Sequence, residues 1–124
     1  MNYLNSAFAT DSAIIHEKQR LVLILFTRDY QQSSLYKNFQ TAQIPLRNYA
    51  IFYVVNLAEV PDFTHLYELS RDAIMFFYKK RPVKSRYGFK VTRPLESSDF
   101  EHEIISTYLS CKRREKQKQQ KVTF

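Results

Sequence analysis

Asn48-Tyr-Ala-Ile-Phe-Tyr-Val-Val-Asn-Leu-Ala-Glu-Val-Pro-Asp-Phe-Thr-His-Leu-Tyr-Glu-Leu69, followed by Ala73-Ile-Met-Phe-Phe-Tyr78, decides the fold. Tyr49 to Leu57 is a continuous run of aromatic and β-branched residues, the pattern of a strand buried on both faces. It ends at the turn Glu59-Val-Pro-Asp-Phe63. Pro61 sets the turn, Asp62 is placed to cap, and Phe63 anchors. Asp62 to Leu69 leaves room for one or two helical turns. Ala73 to Tyr78 then reads as another buried strand. Together these segments form one half of a small α/β domain.

Upstream, Leu21-Val-Leu-Ile-Leu-Phe26 is an apolar run bounded by charge and reads as a further buried strand. Ser33 to Gln43 predicts a helix with Leu35, Tyr36, Phe39 and Ala42 inward, ended by Pro45. Strand, helix and strand make a parallel unit. Asp11 to Lys18 predicts the end of a first helix, with Thr10 or Asp11 as cap, Phe8, Asp11/Ser12 and Ile15 on one face and Ile14 beside it.

Downstream, Lys79-Lys-Arg-Pro82 predicts a turn. Val83 to Phe89 alternates and predicts an antiparallel edge strand guarded by Lys84 and Arg86. Ser98-Asp-Phe-Glu101 is a capping box, opening a helix with Phe100, Ile104 and Tyr108 on one stripe and Ile105 and Leu109 beside it. From Lys112 the apolar period stops. The division expected is residues 1–111 as one domain and 112–124 as a basic, disordered tail. This order of elements is the thioredoxin arrangement, an α/β fold with a central mixed four-stranded sheet flanked by helices. Other small α/β folds share it.

A chain of 124 residues with 44% hydrophobic content suffices for one domain with a real core. Its single glycine implies few left-handed turns and excludes a glycine-rich phosphate loop. The net charge is +7, of which residues 112–121 carry +5. The basic character therefore belongs mainly to the tail. One cysteine, Cys111, excludes an internal disulfide and a multi-cysteine zinc site. No stretch is long and apolar enough to span a membrane, and no secretory signal is visible.

Four blocks carry a resemblance: Asp11-Ser-Ala-Ile-Ile-His-Glu17, Arg20-Leu-Val-Leu-Ile-Leu-Phe26 leading to Asp29-Tyr30, the block from Asn48 to Tyr67, and Met75-Phe-Phe-Tyr78; Ile104-Ile-Ser-Thr-Tyr108 matches more loosely. Across residues 8–110 the chain resembles the Dim/Dib family of thioredoxin-like proteins of the U5 spliceosomal snRNP. Departures are a shortened segment between Tyr78 and the last helix, a shorter connection between Asp29 and Asn48, and an unmatched tail. The resemblance implies a non-catalytic pre-mRNA splicing factor of the nucleus, a subunit of the U5 snRNP and the U4/U6.U5 tri-snRNP, which holds the precatalytic spliceosome until activation. It implies no cofactor and a monomer in isolation. The partners implied are the large central U5 scaffold protein and other tri-snRNP proteins, with contact to snRNA or pre-mRNA as a further option.

A thioredoxin arrangement invites a redox reading. Thiol–disulfide exchange needs two thiols at a helix start. In the matching stretch Tyr30-Gln-Gln-Ser-Ser-Leu35, those positions hold Gln31 and Ser34. The buried acid of redox thioredoxins falls at Leu25, and the cis-proline near Asp72. Cys111, beside Lys112, Arg113 and Arg114, is the remaining candidate thiol, set against an ordinary cysteine at a helix end.

His16, His65 and His102 match no metal spacing and read as surface histidines. Glu59 and Asp62 lack a nearby nucleophile and do not make an acid–base pair. The partner-binding candidates are Asp29, Tyr30, Glu59, Pro61, Asp62, Phe63 and Tyr67. Lys112, Arg113, Arg114, Lys116 and Lys118 can neutralise phosphates, set against a solvated tail or an import signal. The runner-up reading is a nucleic-acid-binding module acting through that tail.

Overall fold

A computed structural model describes residues 1–122. The sheet has the order β1-β3-β2-β4-β5, with a sixth strand also paired to β4. β1 is Asn2–Leu4, β2 Leu21–Thr27, β3 Ala50–Asn56, β4 Ala73–Tyr78, β5 Arg81–Val83 and β6 Lys90–Val91. The helices are α1 Ala7–His16, α2 Tyr36–Ala42, α3 Asp62–Leu66 and α4 Ser97–Val122. β1 and β2 run parallel to β3, and β4 runs antiparallel to β2, so the sheet is mixed. The α/β class is as expected; β1 and the divided far edge add strands to the four predicted.

Every residue of β2 and β4 is buried, as their apolar runs require. One face of the sheet carries Leu23, Leu25, Phe52, Val54, Ile74 and Phe76 against Phe39 of α2 and Phe100 and Ile104 of α4. The other carries Val22, Ile24, Phe26, Met75 and Phe77 against Ile14 of α1 and Phe63 of α3. Phe39 meets Phe52 edge-on at 5.1 Å, an arrangement contributing about 0.5–1.5 kcal/mol beyond area burial.

Several local expectations are corrected. α1 is capped by Ser6, whose hydroxyl accepts the Ala9 N–H at 3.0 Å; Thr10 instead donates its hydroxyl to the Ser6 carbonyl. Thr10 and Ile14 face inward, while Phe8 (83% exposed) and Ile15 face out. Asp62 does not cap α3. Pro61 occupies the cap position with φ −73° and ψ −10°, helical dihedrals that its ring favours, and Asp62 is the first helical residue.

The turn after β4 is Lys79-Lys80 alone, and Arg81 and Pro82 already belong to β5. Val83 to Phe89 is not one strand. The chain turns at Ser85–Gly88, whose backbones pair, and returns as β6 against the other half of β4. The low glycine content also misleads. Glu68, Lys79 and Lys80 adopt positive φ alongside Gly88.

α4 starts at Ser97, one residue before the predicted capping box. Its buried residues are Phe100, Glu103, Ile104, Thr107 and Cys111, while Leu109 is exposed. It does not end at Cys111 but continues through Val122, across the segment expected to be disordered. Residues 123–124 of that expected tail lie outside the described residues. No helix among the described residues is long and apolar enough to cross a membrane.

Candidate functional site

β2 and β3 run side by side and stop together, Thr27 opposite Asn56. Their parallel direction brings the segments after both strands to one end of the sheet. Asp29 and Tyr30 leave β2 there, and Glu59, Pro61, Asp62 and Phe63 leave β3. The structure thus gathers at one end the partner-binding candidates chosen from two distant blocks.

It divides them by face. Tyr30 lies on the α2 side, 5.1 Å from the Tyr3 ring and 4.9 Å from the Tyr36 ring. Tyr3 and Tyr36 share a hydroxyl–hydroxyl hydrogen bond at 2.6 Å, and this bond, with burial, pushes the Tyr3 hydroxyl's pKa well above its usual range. Phe63 and Tyr67 lie on the opposite side, stacked at 5.9 Å and both against Phe26. Burial, with Asp11 adding a smaller effect, raises the Tyr67 pKa. Phe63 is 2% exposed and serves as an anchor. Asp29, Glu59, Pro61 and Asp62 are exposed.

The loops that display these residues are tied by groups that do not stand out in the sequence. Asn56 accepts the Ala58 N–H through its side chain at 2.8 Å, and its carbonyl accepts the N–H groups of Glu59 and Val60. Asp29 accepts the Gln31 N–H at 3.1 Å, making a side-chain turn. Thr27 links the β2 loop to Asp72 just before β4. A polar residue ending an apolar strand was the available signal for both Thr27 and Asn56.

The thioredoxin-like positions lie at this same end. Gln31 is exposed and Ser34 is exposed, and neither side chain can enter disulfide exchange. Leu25 is fully buried in the sheet. Among the described residues no peptide bond is cis, so Asp72 does not stand in a cis-proline turn. Cys111 is at the other end of the molecule, 6% exposed. Burial pushes its thiol pKa up, outweighing the nearby cations Arg114 and Lys112. Desolvation wins over neighbouring positive charge, which favours the ordinary-cysteine reading over an activated thiol, although Cys111 stands within α4 rather than at its end. His16, His65 and His102 are all exposed.

The basic candidates form a second location. β4 is antiparallel to β2, so Tyr78 lies at the opposite end of the sheet from Asp29. There the Lys112 ammonium sits 5.4 Å from the Tyr78 ring centre and 5.3 Å from that of Tyr108. Tyr78 donates a hydrogen bond to Glu115 Oε1 at 2.8 Å, and Lys79 pairs with the same carboxylate. Burial opposes ionisation of Glu115, but the Lys79 and Tyr78 hydrogen bonds outweigh it and hold its carboxyl below the ordinary range. Arg114 and Lys118 line a groove with the β4–β5 hairpin. Arg113 and Lys116 are exposed elsewhere on the helix.

Comparison with solved structures agrees with this architecture. Fasciola hepatica thioredoxin superposes with a TM-score of 0.67 at 14% identity, covering 86% of this chain and 99% of that one. Plasmodium falciparum thioredoxin gives 0.64 at 15% identity, covering 86% and 98%. These likenesses establish a thioredoxin-like fold.

Sequence comparison reaches further. The chain is 35% identical to the mitosis protein dim1 of Schizosaccharomyces pombe, across 92% of this chain and 85% of that protein. It is 32% identical to the spliceosomal protein DIB1 of Eremothecium gossypii with the same coverage, and 32% identical to the spliceosomal protein DIB1 of Saccharomyces cerevisiae over 68% of this chain and 62% of that protein. The family described as mitosis protein DIM1 matches residues 1–98. The chain therefore belongs to the DIM1 family, on a thioredoxin-like frame whose thiol positions hold Gln31 and Ser34.

Proposed function

We propose that this chain is a non-catalytic pre-mRNA splicing factor of the nucleus, a subunit of the U5 snRNP and the U4/U6.U5 tri-snRNP. The observation that carries the reading is the similarity to the spliceosomal protein DIB1 of Eremothecium gossypii across 92% of the chain. The non-catalytic part is supported by Gln31 and Ser34 at the thiol positions and by the burial of Cys111.

The physical role is a rigid wedge. Both faces of the sheet are packed, so the chain presents fixed loops to its partners. Asp29, Glu59, Pro61 and Asp62 form the exposed contact surface at one end, facing the large central scaffold protein and neighbouring particle subunits. Phe63 and Tyr67 hold that surface from beneath. A wedge that holds a precatalytic arrangement must bind it more tightly than the arrangement that follows. Moving such an equilibrium from 1:99 to 99:1 takes about 5.5 kcal/mol of differential binding.

A tagged pull-down from native extract, probed for small nuclear RNAs, tests this. Co-recovery of U4, U5 and U6 is the expected result. Recovery of none by soluble, folded protein overturns the tri-snRNP assignment.

A further inference from the structure

The chain has two dense cationic segments, Lys79-Lys80-Arg81 and Lys112 to Lys118, far apart in sequence. The fold brings them together. The β4–β5 hairpin packs beside the Cys111–Lys118 stretch of α4, and a groove of about 380 Å³ opens between them. Lys79, Arg81, Arg114 and Lys118 line it. Among the described residues its one carboxylate, Glu115, is engaged by Lys79 and by the Tyr78 hydroxyl. Pro82 and Val83 supply an apolar wall. The groove is therefore cationic along its edges and apolar on one side, and its lining acid is already satisfied.

The hairpin is built at a cost. Lys79 and Lys80 have φ of 48° and 78°, the left-handed region in which a two-residue turn favours Asn-Gly. Of the two lysines that stand in place of Asn-Gly, Lys79 lines the groove and puts a charge there that asparagine would not. The other wall, the far part of α4, lies beyond the residues 1–98 matched to the DIM1 family description, although the similarity to dim1 over 92% of the chain reaches into this helix.

We propose that this groove binds the phosphodiester backbone of a single nucleic-acid strand. Arg81, Arg114 and Lys118 neutralise successive phosphates, and the sugars and bases rest on the Pro82–Val83 wall. A concave channel with charged edges and an apolar side suits a single strand, whose bases are free to pack on protein. The site lies at the opposite end of the sheet from the proposed protein-binding loops, so both surfaces are open at once. It stands on the groove itself and is independent of the splicing assignment.

The test is fluorescence anisotropy of the full chain with a labelled oligouridine RNA of about ten nucleotides, titrated across salt. The variant is Arg81→Gln/Arg114→Gln/Lys118→Gln. The control, Arg28→Gln/Lys37→Gln/Arg71→Gln, removes the same charge from exposed positions outside the groove. The groove variant is expected to bind at least about tenfold more weakly, with the salt slope reduced by about 2, from three contacts at about 0.7 each. The control should stay within about twofold.

Equal loss in both variants would mean unspecific attraction by net charge and overturns the proposal. So does absence of wild-type binding at low salt. Displacement of the RNA by polyglutamate at equal affinity, with the same sensitivity to the groove variant, would assign the groove to an acidic protein and overturn it too. Circular dichroism checks folding, and Arg81→Gln/Lys118→Gln at two exposed positions repeats the test should the triple variant misfold.

Discussion

Thr27 Oγ1 donates a 2.7 Å hydrogen bond to Asp72 Oδ2 and accepts the Asp29 N–H at 3.2 Å. One hydroxyl thus joins the end of β2, the start of β4 and the Asp29 turn. Thr27 is 1% exposed, so these bonds are made largely away from water. Thr27→Val keeps the shape and removes both. We expect a loss of about 1–3 kcal/mol in urea unfolding, because a charged acceptor and a backbone donor are left behind. Thr27→Ser should retain most of the stability. A valine variant as stable as wild type would show that water replaces the hydroxyl.

Phe63 and its exposed neighbours should separate in their effects. Phe63→Ala opens a cavity against Phe26 and Tyr67, and about 3–5 kcal/mol of stability should be lost. Pro61→Ala and Asp62→Ala sit at the surface. They should leave the melting midpoint within a few degrees while reducing snRNA recovery in the pull-down. Unchanged stability of Phe63→Ala would mean that Phe63 is not the anchor of α3.

Cys111 links burial to pH dependence. Its folded-state pKa is raised by burial above the ordinary thiol value. The folded state therefore holds the thiol proton to higher pH than the unfolded chain does. This contribution to stability is complete below about pH 8.5, the ordinary thiol value. It is lost as pH rises through the folded-state value. Thiol-specific labelling should be at least about tenfold slower in native protein than in denaturant at the same pH. Equal rates would overturn the burial of this side chain.

The Lys79-Lys80 turn is a place where stability can be added. Lys79→Asn/Lys80→Gly supplies the residues that a turn with two positive φ values favours. Relief of two strained lysines should raise stability by about 1–2 kcal/mol, partly offset by the extra unfolded-state freedom of glycine. Loss of the Lys79–Glu115 pair weighs little against this, because that lysine is half exposed. A lower melting temperature for the double variant would show that the lysine contacts, rather than the backbone, hold the turn.

Much of the frame was legible because its signals are local and apolar. Leu21–Phe26, Tyr49–Leu57 and Ala73–Tyr78 read as buried strands, and they are the three central strands of the sheet. Phe39, Phe100 and Ile104 read as core residues of their helices, and all three are fully or nearly fully buried. The segments that misled are short or polar. Asn2–Leu4 is a three-residue strand with little pattern of its own, placed by its pairing to β3 and by Tyr3 against Tyr30 and Tyr36. Val83–Phe89 alternates as a strand should, yet the Ser85–Gly88 turn breaks it. The helix through Lys112–Val122 has no apolar stripe, although its early part is tied to the hairpin through Glu115 and Lys112.

The candidate sites divide along the same line. Residue identities alone determined that Gln31 and Ser34 cannot exchange disulfides, and that Glu59-Val-Pro-Asp-Phe63 belongs to a turn after a buried strand. Tertiary structure decided which partner-binding candidates are reachable: Phe63, already read as an anchor, is buried against Phe26, while Pro61 and Asp62 face solvent. It also decided that Arg81 shares a groove with Arg114 and Lys118. That juxtaposition depends on β4 carrying the chain back to the far end of the sheet and on α4 packing across it. No local pattern encodes it, because the residues that meet there are separated by a turn, a broken edge strand and most of a helix.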